Sequence, residues 1–276
     1  MTMATDMATE FARDGFLANI RVHDPAGADQ VRREFDALEA REGREKCQIG
    51  LVDRHIDERF VWELASHPKV LDAVEAVMGP DIMLLSTHFF CKYPEVAPPD
   101  APPHWEEDRK AKNAGARRFV AWHQDVTYWG LEPPFALTAW YAVDDADAEN
   151  GCMRGIPGTH HSIREHGSSD RAGNLLSINQ EVPVTEEEEQ RATDLALRAG
   201  EISLHHGMLI HGSNPNHSAR RRCGLTIRYI PTTTRITSDS WKTFLLRGET
   251  APGINTYYPF PEYQPGEHFA GELVRA

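Results

Sequence analysis

The sequence has few cysteines, and their spacing is not typical of a disulfide framework or a redox motif. There are four in 276 residues, and no two of them form a Cys-x-x-Cys pair. Isolated cysteines of this kind are typical of reduced thiols, some of them buried as small apolar side chains. We therefore expect reduced thiols, as in a cytoplasmic protein.

Long apolar runs and an excess of positive charge are also missing. No stretch is apolar over the length needed to cross a bilayer, and residues 1–15 contain acidic side chains instead of a signal-peptide core. The formal net charge is −13, which disfavours a nucleic acid or an anionic membrane as partner because phosphate binding needs a basic surface. We expect a soluble, cytoplasmic protein that acts on a small neutral or anionic molecule. Its oligomeric state is left open.

Two segments near the N-terminus have the apolar periodicity of amphipathic helices. Residues 28–43 place Val31, Phe35 and Leu38 at helical spacing and end at a glycine. Residues 58–79 repeat the pattern, and Pro68 predicts a break inside them. Both apolar stripes predict core-facing helices.

From residue 81 onward, short β-rich runs alternate with turn signals. Such runs cover residues 81–93, 119–129, 135–143, 152–157, 174–184, 201–211 and 223–232. Repeated short strands at this spacing predict a sandwich or barrel, and one helix over residues 185–200 is expected to interrupt them. A proline-rich polar segment, residues 94–118, is a candidate lid. The aromatic tail, residues 241–263, is expected to cap the barrel.

A His-x-Asp pair lies inside one of the strand-like runs. His123 and Asp125 are two positions apart, so on a strand both side chains point to the same face. An imidazole and a carboxylate on one face can form two legs of a facial metal triad, which a second histidine completes. A rival pair, His104 and Glu106, lies in the proline-rich segment, where no pleat would hold the two side chains together.

The third ligand has several candidates downstream. His205 and His211 lie on the same face of their run, whereas His206 lies on the other, and His217 follows in a polar segment. Spacing does not choose between His205 and His211. The residues after His211 favour it, because three consecutive arginines, residues 220–222, precede the next strand, and a guanidinium there can bind a carboxylate through two hydrogen bonds.

Taken in order, these motifs resemble the phytanoyl-CoA dioxygenase family. The resemblance includes HQD, TAWYAVDDADAENGCMRGIPGTHH and LIHGSNPNHSARRRCGLTIRYIP, and it extends from about residue 81 to about residue 231. It implies a mainly β fold, a double-stranded β-helix (jelly roll) with flanking helices, as one domain over residues 1–276. It also implies that His123, Asp125 and His211 hold iron(II), with 2-oxoglutarate as cosubstrate and O2 as oxidant.

The resemblance carries over further residues to the cosubstrate. Arg222 matches the arginine that pairs with the distal carboxylate of 2-oxoglutarate, and Ser213 matches a hydroxyl beside the same carboxylate. Trp140 matches an aromatic residue next to the cosubstrate, unless it is only core. Lys92 and Gln124 match further contacts, and the alternative for Lys92 is a surface position.

The family resemblance implies hydroxylation of a C–H bond, with succinate and carbon dioxide as coproducts. Halogenating relatives replace the carboxylate ligand by a small residue, whereas Asp125 is present here. Candidate contacts to an anionic substrate flank the motifs: Arg117, Arg118, Arg154, His160 and His161. The alternative, favoured for most of them, is a surface position. The alternatives are another cupin-type metal enzyme that does not use 2-oxoglutarate, and a non-catalytic binding protein on the same fold.

Overall fold

Helices form the first part of the chain. The structure, a computed structural model, describes residues 3–94, 118–169, 171–176, 180–238, 241–261 and 263. Its first elements are α1 (Met3–Asp14), β1 (Phe16–Arg21), α2 (Pro25–Glu42), α3 (Arg44–Ile49), α4 (Arg59–Ala65) and α5 (Pro68–Met78). The side chain of Asp24 caps α2 by accepting a hydrogen bond from the backbone N–H of Gly27 at 2.8 Å. The break predicted at Pro68 is confirmed, because that proline begins α5.

Two larger antiparallel sheets and two small two-stranded sheets form the rest of the described fold. The further strands are β2 (Ile82–Lys92), β3 (Val120–His123), β4 (Leu131–Glu132), β5 (Leu137–Ala142), β6 (Met153–Gly155), β7 (Gly167–Ser168), β8 (Gln180–Glu181), β9 (Thr193–Leu195), β10 (Glu201–His206), β11 (His211–Ser213), β12 (Arg222–Pro231), β13 (Arg235–Ile236) and β14 (Phe244–Arg247). The major sheet has the order β1-β10-β5-β12-β2-β14, and the minor sheet has the order β3-β11-β6-β9. This is the double-stranded β-helix that was expected.

The major sheet has an apolar outer face and a polar inner face. Along β12, Cys223, Leu225, Ile227 and Tyr229 pack into the core formed with helices α2, α4 and α5. The alternating residues face the space between the two sheets, where a cavity opens. Strand periodicity therefore sends every second side chain of β12 to the helices and the others to the candidate site.

The helix predicted over residues 185–200 is much shorter than expected. α6 covers only Glu186–Gln190, with a capping box formed by Thr185 and Glu188. The chain then becomes β9, which pairs with β6, and Leu195 and Leu197 are both buried in one small core cluster. The prediction was wrong because this segment has the two-residue periodicity of a strand, and pairing with β6 outweighs its helical propensity.

The aromatic tail packs in two places: Phe244 joins the helix-side core, whereas Trp241 and Tyr257 pack against a separate cluster that includes Leu85 and Ile230. β14 pairs with β2 at the sheet edge, and Phe244 contacts Trp62 of α4 at a ring distance of 5.2 Å. The hydroxyl of Tyr263 donates to the backbone carbonyl of His55 at 2.6 Å. Most of the candidate lid lies outside the described residues. Within the described residues, no helix has the length and apolar character of a membrane span.

Candidate active site

Two side chains of the minor sheet and one from the turn that follows it converge on one point. His123 is the last residue of β3, Asp125 begins a short 3-10 helix, and His211 is the first residue of β11. His211 lies opposite His123 in the β3–β11 pair. One nitrogen or oxygen atom from each of the three residues lies within 4.8 Å of the others. Two imidazoles and a carboxylate are the donor set of a facial triad.

Asp125 reaches this point in a different way from the one predicted. It does not continue the strand of His123, because the chain turns after Gln124 into the 3-10 helix Asp125–Tyr128. The backbone N–H of Asp125 donates to the carbonyl of Gly207 at 2.8 Å, which fixes the turn. The strand argument was therefore wrong about the backbone, although the carboxylate does lie 3.5 Å from Nε2 of His123.

Both histidines are oriented with one ring nitrogen directed at the cluster. Nδ1 of His123 lies 2.9 Å from the carbonyl of Ala121, and Nδ1 of His211 lies 2.9 Å from the carbonyl of Leu209. A carbonyl only accepts, so each Nδ1 carries the proton and each Nε2 is left with its lone pair. A histidine held in this way by a backbone carbonyl is prepared to bind a metal.

The electrostatics of the cluster also fit a cation. Burial raises the pKa of Asp125, but the imidazoles of His123 and His205 and the charge of Arg228 outweigh it, so the pKa lies well below its usual range. Burial holds the pKa of His211 well below its usual range. At neutral pH the carboxylate is ionised and His211 is neutral, which is the state that metal binding requires.

The rival histidines separate clearly in space. His205 lies beside the cluster, with Nε2 at 3.6 Å from Asp125 and its ring 4.6 Å from that of His211. Both of its ring nitrogens are buried without a hydrogen-bond partner among the described residues. The ring of His206 packs 5.0 Å from that of Phe135, away from the cluster. The His104–Glu106 pair lies outside the described residues.

Arg222 lies buried at one side of the same cavity. Its guanidinium donates to the carbonyl of Gly151 at 3.0 Å and to the hydroxyl of Ser213 at 3.4 Å. The ammonium of Lys92 donates to the same hydroxyl at 2.6 Å, and Lys92 is fully buried, not at the surface. Arg220 points outward to Asp147. Arg222 and Ser213, which were matched to one carboxylate, therefore lie together with Lys92, which was matched to a further cosubstrate contact.

Trp140 also belongs to this corner of the cavity. Its ring lies 5.4 Å below the guanidinium of Arg222, and it lines the cavity. The indole occupies the space that a side chain at position 224 would need, since a Cβ on Gly224 would lie 1.9 Å from the ring. Trp140 is thus both core and cavity wall, and Gly224 is required by its close approach.

Gln124 does not line the cavity. Its side chain is fully buried, donates to the carbonyls of Ser162 and Met208 and accepts from the backbone N–H of Arg164. The residue after His123 points to the opposite side, so the cosubstrate contact suggested for Gln124 is not seen. It ties together the two loops that flank the cluster.

The flanking candidates for substrate binding also lie elsewhere. Arg154 pairs with Asp194 at 3.2 Å, and His160 packs against His161 and His206. None of these three residues lines the cavity, and Arg117 lies outside the described residues. The cavity is instead lined by several residues that the sequence reasoning missed: Phe90, Val120, Met153, Thr226 and Arg228. Thr226 and Arg228 could have been found from strand alternation, because they follow Arg222 by four and six residues on the same strand.

The fold and this site define a jelly-roll protein with a His-x-Asp and distal His cluster above a buried arginine. The chain belongs to the phytanoyl-CoA dioxygenase (PhyH) family, whose model matches residues 11–224. The resemblance seen in the sequence is therefore confirmed.

Known relatives support the same assignment. Peroxisomal phytanoyl-CoA dioxygenase from Homo sapiens is 26% identical over 201 residues, which cover 72% of this chain and 54% of that protein. A probable alpha-ketoglutarate-dependent hypophosphite dioxygenase from Stutzerimonas stutzeri is 27% identical over 181 residues, covering 63% and 54%. The chain spans about half the length of these curated relatives. The solved apo structure of the non-heme monooxygenase ThoJ is 27% identical, with a TM-score of 0.72 over 94% of this chain and 89% of that one.

Proposed function

We propose that the protein is an iron(II)- and 2-oxoglutarate-dependent dioxygenase that hydroxylates a C–H bond of a small polar or anionic metabolite. One observation carries this proposal: the His123–Asp125–His211 cluster and the buried guanidinium of Arg222 line the same cavity. The ligand cluster is suited to a divalent metal and the guanidinium to a carboxylate. A metal enzyme that did not use 2-oxoglutarate would have no need of the guanidinium.

The type and number of the donors match the set that non-haem iron(II) oxygenases use. Two neutral imidazoles and one carboxylate leave three coordination positions for ligands from outside the protein, as in the non-haem iron(II) oxygenases. When bound, iron(II) and 2-oxoglutarate supply the oxidising chemistry with O2, and succinate and carbon dioxide are released. The role of the protein is to hold, orient and shield these groups.

Arg222 is proposed to bind the distal carboxylate of 2-oxoglutarate. Among the described residues, no carboxylate oxygen lies within 4.0 Å of its guanidinium, so the buried charge lacks an ion-pair partner. Ser213 adds a hydroxyl, Lys92 adds a second cation that holds this hydroxyl, and the ring of Trp140 supports the guanidinium. The planar fork of N–H donors of a guanidinium matches the two oxygens of a carboxylate.

Asp125 favours hydroxylation over halogenation. The resemblance implies that halogenating relatives have a small residue at this position, and here a carboxylate occupies it. The named activities of the relatives, on phytanoyl-CoA and hypophosphite, share the reaction class and not the substrate, so we do not propose phytanoyl-CoA itself. The cytoplasmic location stays a prediction.

The proposal is tested by the visible charge-transfer band that an iron(II)–2-oxoglutarate chelate gives under anaerobic conditions. We expect the band in the wild-type protein and its loss in His123→Ala. In Arg222→Ala the affinity for 2-oxoglutarate should fall by roughly 30-fold or more, since truncating one partner of a buried charge pair costs about 2 kcal/mol or more.

Arg220→Ala is the matched control. It removes an arginine two positions away, whose side chain points to Asp147 outside the cavity. It should bind 2-oxoglutarate like the wild type. If folded, iron-loaded wild-type protein gives no band, the keto-acid mechanism is wrong, and a cupin-type enzyme without 2-oxoglutarate or a binding protein becomes the better description.

A further inference from the structure

A second arginine on β12 faces the same cavity. Residues Arg222, Gly224, Thr226 and Arg228 alternate along the strand and point inward, and Arg228 lines the cavity together with the three candidate ligands. Six residues of strand separate the α-carbons of Arg222 and Arg228 by roughly 20 Å. The two cations therefore approach the cavity from different ends of the strand.

The neighbours of Arg228 form a polar row across the inner face of the major sheet. In the strand register Arg228 lies opposite Ser86 of β2 and opposite Thr138 of β5, and Thr138 lies opposite His205 of β10. Thr138 in turn donates to Asp125 at 3.3 Å. The row therefore begins at Arg228 and ends next to the candidate metal ligands.

Arg228 is buried with most of its hydrogen-bonding capacity unused. It is 8% exposed, its guanidinium lies 4.9 Å over the ring of Trp129, and Nη1 donates to Ser86 at 3.3 Å. Nε is buried and has no hydrogen-bond partner among the described residues. An arginine that only filled space would leave a donor unsatisfied at a cost that an apolar side chain avoids.

Its charge also lacks a close counterion. The acids whose charges act on Arg228 are Asp125 and Asp53, and among the described residues no carboxylate oxygen lies within the 4.0 Å of an ion pair. With iron(II) on Asp125 and dianionic 2-oxoglutarate on Arg222, the two positive groups, iron(II) and Arg222, balance the two negative groups, Asp125 and 2-oxoglutarate. The positive charge of Arg228 then has no partner in the cavity.

We propose that Arg228, with Ser86 and the face of Trp129, binds an oxyanion group of the primary substrate. This inference rests on the proposed function, and it narrows the substrate to a small organic acid whose anionic group lies at Arg228 and whose reacting carbon lies near the ligand cluster. The group is a carboxylate, or a phosphate or sulfate ester. A planar guanidinium stacked on an aromatic ring recognises both through paired hydrogen bonds.

The test uses protein loaded anaerobically with iron(II) and saturating 2-oxoglutarate. Sodium formate, which represents a carboxylate, and sodium sulfate, which represents an ester, are titrated separately, with sodium chloride at matched ionic strength as reference. The thermal unfolding midpoint reports anion binding, and the charge-transfer band reports that 2-oxoglutarate stays in place. We expect a saturable rise of the midpoint in the wild type and an apparent Kd at least tenfold weaker in Arg228→Gln.

Arg235→Gln is the matched control, because it removes an equal charge from an exposed position on β13. It should bind the anions like the wild type. A preference for formate would identify a carboxylate substrate, and a preference for sulfate would identify an ester. If the wild type shows no saturable response, or if Arg228→Gln responds as the wild type does, the proposal is overturned.

Two further results keep the test decisive. If Arg228→Gln does not fold, Arg228→Lys keeps the charge but loses the fork of donors, and it should bind formate at least threefold more weakly; unchanged binding would contradict the proposal. Absence of the charge-transfer band in the wild type would count against the proposed function instead. In that case the anion titration is repeated on the wild-type protein without iron. Failure of the proposed function and failure of anion binding at Arg228 are then distinguishable.

Discussion

Replacing Gly224 by alanine tests whether the ring of Trp140 holds Arg222 in place. An alanine Cβ at this position would lie 1.9 Å from Cζ2, 2.3 Å from Cε2 and 2.5 Å from Cη2 of Trp140. The indole is buried, and β12 is held between β2 and β5, so neither can move freely. Overpacking of this kind costs about 1–3 kcal/mol of unfolding free energy.

The same change should weaken cosubstrate binding. The guanidinium of Arg222 lies 5.4 Å from the Trp140 ring, and such a contact is worth about 1–2 kcal/mol at a desolvated site. Displacing the ring removes this contact and tilts the donors that face the carboxylate. We expect the Kd for 2-oxoglutarate to rise by about 5- to 30-fold, the equivalent of that energy.

Both effects are measured against a glycine that has room. Gly167→Ala adds the same methyl group on an exposed strand, where the new Cβ would lie 3.9 Å from the carbonyl oxygen of Glu181. Urea unfolding and 2-oxoglutarate titration of the charge-transfer band are compared for the two variants and the wild type. If Gly224→Ala and Gly167→Ala have the same unfolding free energy and the same Kd for 2-oxoglutarate, the ring of Trp140 does not support the guanidinium of Arg222.

Three further predictions concern the surroundings of the site. Asn150→Ala should lower the unfolding free energy by about 1–3 kcal/mol in urea titrations, because the buried amide donates to the carbonyl of Asp145 at 2.7 Å and accepts from the N–H of Asp147; a change below 0.5 kcal/mol would contradict this. Gln124→Ala should weaken iron(II) binding by roughly tenfold or more, because Gln124 ties together the two loops that flank the ligand cluster. The affinity is measured by competition with a chelator, and an unchanged affinity would show that Gln124 does not position the ligands. Burial lowers the pKa of His88 and of His206 to about 4. As the pH falls from about 6.5 to 4, the unfolded state therefore binds more protons than the folded state does. The folded state then loses stability on the order of 3 kcal/mol for each histidine. Urea unfolding of the metal-free protein between pH 7 and pH 4 should show this loss, with a shallower slope in His206→Phe.

Helices α2, α4 and α5 and the family could be predicted because each depends on a local pattern, whereas α1 and β1 were not predicted. Helix α2 was read from the spacing of Val31, Phe35 and Leu38, and all three are buried as expected. The predicted helix over residues 185–200 failed for the opposite reason. Its second half is a strand only because β6 is available to pair with it, and a single sequence does not show which distant strand will be adjacent.

The choice between His205 and His211 shows the same limit at the site itself. Both histidines face inward, so periodicity treats them equally. They differ in the sheet to which they belong: His205 lies on β10 in the major sheet opposite Thr138, whereas His211 lies on β11 in the minor sheet opposite His123. Only this long-range register places His211 with the His-x-Asp pair and leaves His205 beside it.

The same distinction separates the arginines beside the motifs, which were candidate substrate contacts, from Arg228. Arg154 lies next to the family motifs in the sequence, but in the structure it forms an ion pair with Asp194 across the β6–β9 pair. Arg228 belongs to no motif, but it follows Arg222 by an even number of residues on one strand, so it must share the inner face. A buried charged residue without a counterion points to a ligand. Both conditions are set by the neighbouring strands, which here place Ser86 and Thr138 opposite Arg228.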